Sequence, residues 1–118
     1  MSHFAAANTP SNRAGVTLMN NQVGFEVADV MRDKENVTIT ELPSMIRVDG
    51  INRMDFDYDE ISEALGEEDG FYTAAEFEEN MSTHYGKMIH MDDRTVMFGN
   101  LEEAAEFIGD MLPPEIAK

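Results

Sequence analysis

Met54, Phe56 and Tyr58 alternate with Asp55, Asp57 and Asp59. A period of two, apolar on one side and acidic on the other, describes a strand with one face in a core and one in water. Such a strand needs neighbours that share its inner face, and the sequence supplies them. Val16 to Met19 is a short apolar strand, Val37-Thr-Ile-Thr40 is β-branched and alternating, and Met45 to Val48 follows the break at Pro43. Asp49-Gly50 is a hairpin-type turn signal. Lys87 to Met91 and Thr95 to Phe98 form a second hairpin that turns at Asp92-Asp93.

Helical periods fall between these strands. Asn20 and Asn21 offer an N-cap, and Val23, Val27, Val30 and Met31 follow on one stripe through about Asp33. Ile61, Ala64 and Leu65 make a short helix that Gly66 ends. Thr73-Ala-Ala-Glu76 reads as a capping box opening a helix to about Asn80. Asn100 caps a last helix with Leu101, Ala104, Ala105, Ile108 and Leu112 on one face, stopped by Pro113-Pro114. Strands joined by tight turns, with helices between them, predict an α+β domain: two layers, a mainly antiparallel sheet with helices packed against it. The order of elements hints at two similar halves. The chain of 118 residues is long enough for one domain. Residues 1–14, small and polar, read as a flexible tail, and 15–118 as the folded part with a terminal helix over 101–112.

Composition removes several classes of function. With no cysteine, disulfides, thiolate zinc sites and cysteine-ligated iron–sulfur clusters are excluded. No apolar run approaches the roughly 18 residues of a membrane span, and Met1 to Pro10 does not read as a secretory signal, so a cytoplasmic protein is expected. Eight Lys+Arg against 24 Asp+Glu give a net charge of −16. Nucleic acid and anionic membranes both demand a basic surface and are disfavoured. Steering toward basic partners is favoured. From Met54 to Gly86 there is no Lys or Arg, while Asp55, Asp57, Asp59, Glu60, Glu63, Glu67, Glu68, Asp69, Glu76, Glu78 and Glu79 lie inside that stretch. The simplest account is a solvated face. The ten methionines sit mostly in periodic apolar patterns and read chiefly as core filling.

Calcium is the first functional alternative for the acidic stretch. With Glu76 at the last position of an EF-hand loop, Gly70 falls at the required glycine, but the first ligand would be Leu65, which has no oxygen to offer. Starting instead at Asp55 puts Glu60 at the glycine and Gly66 at the bidentate glutamate. Neither register makes a cage. Of His3, His84 and His90, no pair has the spacing of a helical metal site. No Gly-x-Ser-x-Gly and no phosphate-binding loop occur. The residues describe a protein without chemistry of its own, and no cofactor is expected. One segment has side chains suited to contact: Asn80, Met81, Ser82, Thr83, His84, Tyr85 and Gly86 read as a loop leaving the second short helix, with no core period.

Several stretches together resemble the coupling (effector) proteins of bacterial multicomponent di-iron monooxygenases, nearest to the propane-oxidising members. They are Ala14-Gly-Val-Thr-Leu-Met-Asn20, Val23-Gly24 at a helix start, Leu42-Pro-Ser-Met-Ile-Arg-Val-Asp-Gly50, Asp55-Phe-Asp-Tyr-Asp-Glu-Ile-Ser-Glu-Ala-Leu-Gly66 and Ser82-Thr-His-Tyr-Gly86. The resemblance covers roughly residues 14 to 99. It implies a cofactor-free, non-catalytic component that docks on the large subunit of the di-iron hydroxylase and couples NADH and O2 consumption to hydrocarbon hydroxylation, with the reductase competing nearby. It implies a docking segment over Asn80 to Gly86. The first strand (Val16, Thr17, Leu18, Met19 and Asn20) is a second candidate edge, and the resemblance, in which the tail of relatives can order on the partner, makes Phe4 a further candidate contact. The competing readings are a degenerate EF-hand-like calcium binder and a generic acidic adaptor, such as a nucleic-acid mimic.

Overall fold

The side-chain alternation in Arg13–Met19 fixes which face of this first strand is inside: Ala14, Val16 and Leu18 are buried, while Thr17 and Met19 reach the other face. The computed structural model describes residues 12–111. Strand β1 is Arg13–Met19, α1 Gln22–Arg32, β2 Val37–Glu41, β3 Met45–Ile51, β4 Arg53–Asp57, α2 Tyr58–Ala64, α3 Ala74–Asn80, β5 Met81–Tyr85, β6 Lys87–His90, β7 Arg94–Phe98 and α4 Leu101–Met111. Every strand pairing among the described residues is antiparallel. The expected mixture of helices and antiparallel sheet is therefore what the chain adopts. Residues 13 and 14, expected in the tail, are the start of β1; residues 1–11 and 112–118, with Phe4 and Leu112 among them, lie outside the described residues.

The strands divide into two sheets, ordered β2-β3-β1-β5 and β4-β7-β6. The first half of the chain runs strand, helix, then a hairpin; the second runs strand, two helices, β5, then a hairpin. In each, the last strand sits in the middle: β2-β3-β1 in one half, β6-β7-β4 in the other. The two halves hinted at by element order are thus topological repeats. Strand β5 breaks the repeat. It comes from the second half of the sequence and extends the first half's sheet.

One core joins the halves. Val16, Leu18, Ile46 and Val48 of the first sheet, Met54, Phe56 and Met97 of the second, and Val27, Met31, Ile61 and Phe77 of the helices belong to a single buried cluster. Phe56 and Phe77 meet edge to face with centroids 5.1 Å apart. Met31, Met54 and Met97 are buried and Met81 and Met88 pack on the core, in keeping with the gap-filling role. A second, smaller cluster lies on the other side of β7, where α4 covers Val96 and Phe98 with Ala104 and Phe107.

Local chemistry explains most boundaries. Asn21 accepts the Gly24 amide at 2.9 Å and caps α1. Asp57 ends the period-two alternation by accepting the amides of Asp59 and Glu60, so the chain turns helical at Tyr58, which stays buried. Gly66, at φ +76°, closes α2. Two expectations fail. Thr73 stands at the N-cap of α3, but its side chain makes no capping bond; the backbone carbonyl of Thr73 accepts from Phe77, and burial of Phe77 holds the helix. Asp49-Gly50 is not a turn either. Both residues are inside β3, paired with Gly15 and Ala14, and a Cβ on Gly50 would stand 2.4 Å from the side chain of Met54. The chain reverses at Asn52 (φ 71°), a residue type that tolerates the left-handed region.

Candidate docking face

Helix α3 passes into β5 without a connection, since Met81 already has extended backbone (φ −88°, ψ 136°). Of the segment from Asn80 to Gly86, expected as a loop, Asn80 is the last residue of α3, Met81–Tyr85 is a strand and Gly86 follows it as a bend. The strand pairs antiparallel with β1: Gly15 opposite Tyr85, Val16 opposite His84, Thr17 opposite Thr83 and Leu18 opposite Met81. A slip between Thr17 and Leu18 leaves Ser82 as the extra residue of a bulge. Pairing satisfies backbone groups that a loop would leave to water. The two candidate segments, read separately in the sequence, are thus hydrogen-bonded neighbours at one sheet edge.

The fold sorts these candidates by face. Val16 and Leu18 are 1% and 0% exposed and belong to the core, so as contact side chains they are corrected: they hold β1 in place. Asn80 is buried as well. Thr17 is half-buried and Thr83 exposed, side by side on the outer face, with Tyr85 on the same face. Ser82, His84 and Gly86 are exposed, and Met19 is 46% exposed at the end of β1. Asn20 donates from Nδ2 to the Leu42 carbonyl at 3.4 Å, tying the end of β1 to the β2–β3 connection.

The outer face also holds residues that sequence reading did not single out. Tyr85 donates its hydroxyl to Asp49 Oδ1 at 2.5 Å, and Arg47 Nη2 donates to the same oxygen at 3.1 Å. Tyr85 crosses β1 to do so, which Gly15 permits: a Cβ there would lie 2.4 Å from both the Tyr85 ring and Asp49 Oδ1. Burial, then the hydrogen bond to and charge of Asp49, push the Tyr85 phenol above its usual range. The charge of Asp49 likewise raises Arg47. Both states are therefore firm: a neutral phenol donating, a charged guanidinium. Exposed Thr38 and Thr40 of β2 continue the face. The signal that could have found Arg47 and Asp49 is their i, i+2 spacing on a strand whose alternate residues, Ile46 and Val48, are apolar. The Asp-Gly turn signature obscured it.

Gly86 (φ +89°) has Ala14 Cβ within 2.7 Å of where its own Cβ would stand, so it allows β5 to leave the first sheet and enter β6. His90, the other described histidine, bridges structure. Its Nδ1 meets Thr95 Oγ1 at 2.8 Å and its Nε2 meets Glu78 at 2.6 Å. Among the described residues no group of three or more His, Asp or Glu is placed to hold a metal ion. No helix among them is long and apolar enough to cross a membrane. The face offers hydroxyls, a phenol, a guanidinium and open strand backbone, a surface for hydrogen-bonded recognition.

Residues 12–99 match the MmoB/DmpM family, and the chain belongs to it. That places it among the effector or regulatory components of monooxygenase complexes. A relative from Gordonia sp. (strain TY-5), the effector component of a propane 2-monooxygenase, is 57% identical over 106 residues, covering 90% of this chain and 93% of the relative. A protein of the same description from Mycolicibacterium smegmatis is also 57% identical, covering 90% of both chains. The fold is similar to a chain in a phenol hydroxylase–regulatory protein complex (TM-score 0.63, 20% identity, 73% of this chain and 97% of that one). It is similar too to the regulatory protein B of soluble methane monooxygenase (TM-score 0.60, 16% identity, 89% and 77%).

Proposed function

We propose that this protein is a non-catalytic component that binds the hydroxylase of a propane-type di-iron monooxygenase through the outer face of β1 and β5, and couples NADH and O2 consumption to hydrocarbon hydroxylation. The observation that carries the reading is the near full-length identity to a propane 2-monooxygenase effector component. The face supports it in detail. Thr17, Thr83, Tyr85 and Arg47 stand together on a sheet surface that no helix among the described residues covers.

A protein that contributes no reacting group changes a reaction only by binding one state of its partner better than another. A preference of about 1–3 kcal/mol is typical of such coupling. The Tyr85–Asp49–Arg47 bonds hold the outer face in one arrangement before contact, which lowers the ordering cost of docking. The reductase competes for a neighbouring surface of the hydroxylase, so an excess of either component slows turnover.

The test is product formed per NADH consumed, with hydroxylase and reductase fixed and this protein varied. Yield should rise to a plateau, and Tyr85→Phe combined with Thr83→Ala should need more protein to reach it. A yield indifferent to the protein at every ratio overturns the coupling reading. An unchanged titration for the double variant overturns the placement on this face.

A further inference from the structure

We propose that the free protein latches onto its own N-terminus: the Phe4 ring, within residues 1–11, seats in an apolar cleft between the β5–β6 corner and the first turn of α4. The cleft has a volume of about 200 Å³ and is lined by Gly86, Lys87, Phe98, Gly99 and Leu101. Small-molecule sites start at about 300 Å³, so this one has room for a single large side chain. The inference does not depend on the hydroxylase-binding reading above.

Leu101 marks the cleft as unfinished. Helix α4 packs Ala104 and Phe107 on β7, and Leu101 lies one turn earlier on the same stripe. Strand β7 ends at Phe98, so that turn overhangs the sheet, and Leu101 is 74% exposed, more than any other large apolar residue described. Apolar surface left open to this extent favours whatever covers it. The chain's own start is the group at hand. Asn52 donates its amide to the Asn12 carbonyl at 2.5 Å, and its carbonyl accepts from the Gly99 amide at 2.7 Å. A Cβ on Gly99 would collide with the Asn12 carbonyl. Residue 11 therefore joins the described fold beside the cleft's own lining. The eight residues from Asn12 back to Phe4 reach at most about 28 Å, ample to turn into the cleft. The other end of the chain is worse placed. Helix α4 carries Met111 about 15 Å from Leu101, and Pro113-Pro114 then stiffen any way back. Residues 1–12 hold no Asp, Glu, Lys or Arg, so entry strips little charge of water, and Phe4 is their one aromatic. A tether this short sets an effective concentration on the order of millimolar, so a weak contact is enough to keep the ring seated. The latch joins the chain's start to the corner that follows Tyr85 of the docking face.

The chain has no tryptophan, so one introduced indole reports only its own surroundings. In the full chain alone, Phe4→Trp should emit to the blue of the same variant unfolded in urea, and acrylamide should quench it about threefold less. Adding Leu101→Gln, a change at an exposed site that leaves the fold intact, should restore solvent-like emission and quenching. Leu101→Trp is the reciprocal probe, in case the cleft is too narrow for indole: its emission should move to the red when Phe4→Ala is added. The latch stands if either tryptophan loses its protection when the other residue is changed, at a level independent of protein concentration. Protection that survives the second change puts Phe4 elsewhere and overturns the latch. Quenching as complete as in urea for both probes overturns it too, because the cleft is then open. Protection that fades on dilution assigns the cleft to a second copy of the chain and overturns it as well. No hydroxylase is present, so failure of the latch leaves the proposed function untouched, and failure of that function leaves the latch.

Discussion

The two halves share a topology and differ in what lies on the outer face of the sheet. In the second half, Val96 and Phe98 of β7 face outward and are buried by α4. The Arg53 guanidinium stands 4.9 Å from the Phe107 ring and 5.5 Å from the Phe98 ring, with its Nε and Nη2 donating to the two carboxylate oxygens of Asp55. In the first half the same surface has Thr17, Thr38, Thr40 and Arg47, and no helix among the described residues covers it; its added strand, β5, enlarges it instead. A repeat that is apolar outside must be roofed, and one that is polar outside can stay open. The difference separates a half closed for stability from a half left free for contact.

The most severe way to break this comparison is to attack what the halves share. Phe77→Ala, at a site 0% exposed, should cost about 3–5 kcal/mol. Urea unfolding should remain one cooperative transition for both halves. Two separated transitions would mean that the core does not join them.

Removing the roof should cost less. Phe107→Ala loses the contacts with Phe98 and Arg53, and a destabilisation of about 1–3 kcal/mol is expected from a half-buried aromatic. Hydroxylase affinity per folded molecule should be unchanged, since α4 lies on the other sheet. A large loss of affinity with normal stability would make α4 part of the contact.

Gly15→Ala tests the open face. The added methyl collides with Tyr85 and Asp49 and should cost about 1–2 kcal/mol of stability, chiefly by breaking the bond across β1. Hydroxylase titration should show a fall in affinity that exceeds the one for Phe107→Ala. Equal effects would erase the distinction between the two faces.

The smallest effect is on acid stability. Burial would raise the Asp55 carboxyl, but hydrogen bonds from Arg53 and Arg94 outweigh it and hold the group below its usual range. A depressed carboxyl adds stability that is whole above the unfolded value of about 3.9 and is lost as pH falls through the lower folded value. Melting temperature should therefore decline below about pH 4, and Asp55→Asn should make that decline shallower. An unchanged acid limb would assign it to other carboxylates.

Much of the fold was legible because its causes are local. The Asn21 cap, the stripe of Val27 and Met31, the alternation through Phe56 and the stop at Gly66 are each determined by a few consecutive residues. The functional face was half legible. Thr17 and Thr83 were within the segments singled out, but Val16 and Leu18 were counted as contacts, although their side chains fill the core. Asp49 was read as a turn because Asp-Gly is a local signature, while its pairing with Gly15 and its bond to Tyr85 come from residues 34 and 36 positions away.

By itself the sequence determined the periods, the caps, the excess of acid and the membership in a family. Tertiary structure alone decided that Met81–Tyr85 is a strand. Its residues do not alternate in burial, because an edge strand beyond the core's end has little apolar surface to cover. Its extended shape comes from backbone bonds to β1, a partner some 65 residues earlier in the chain. Pairing of that kind depends on which edge is open after the rest has folded, and no local pattern of side chains encodes it.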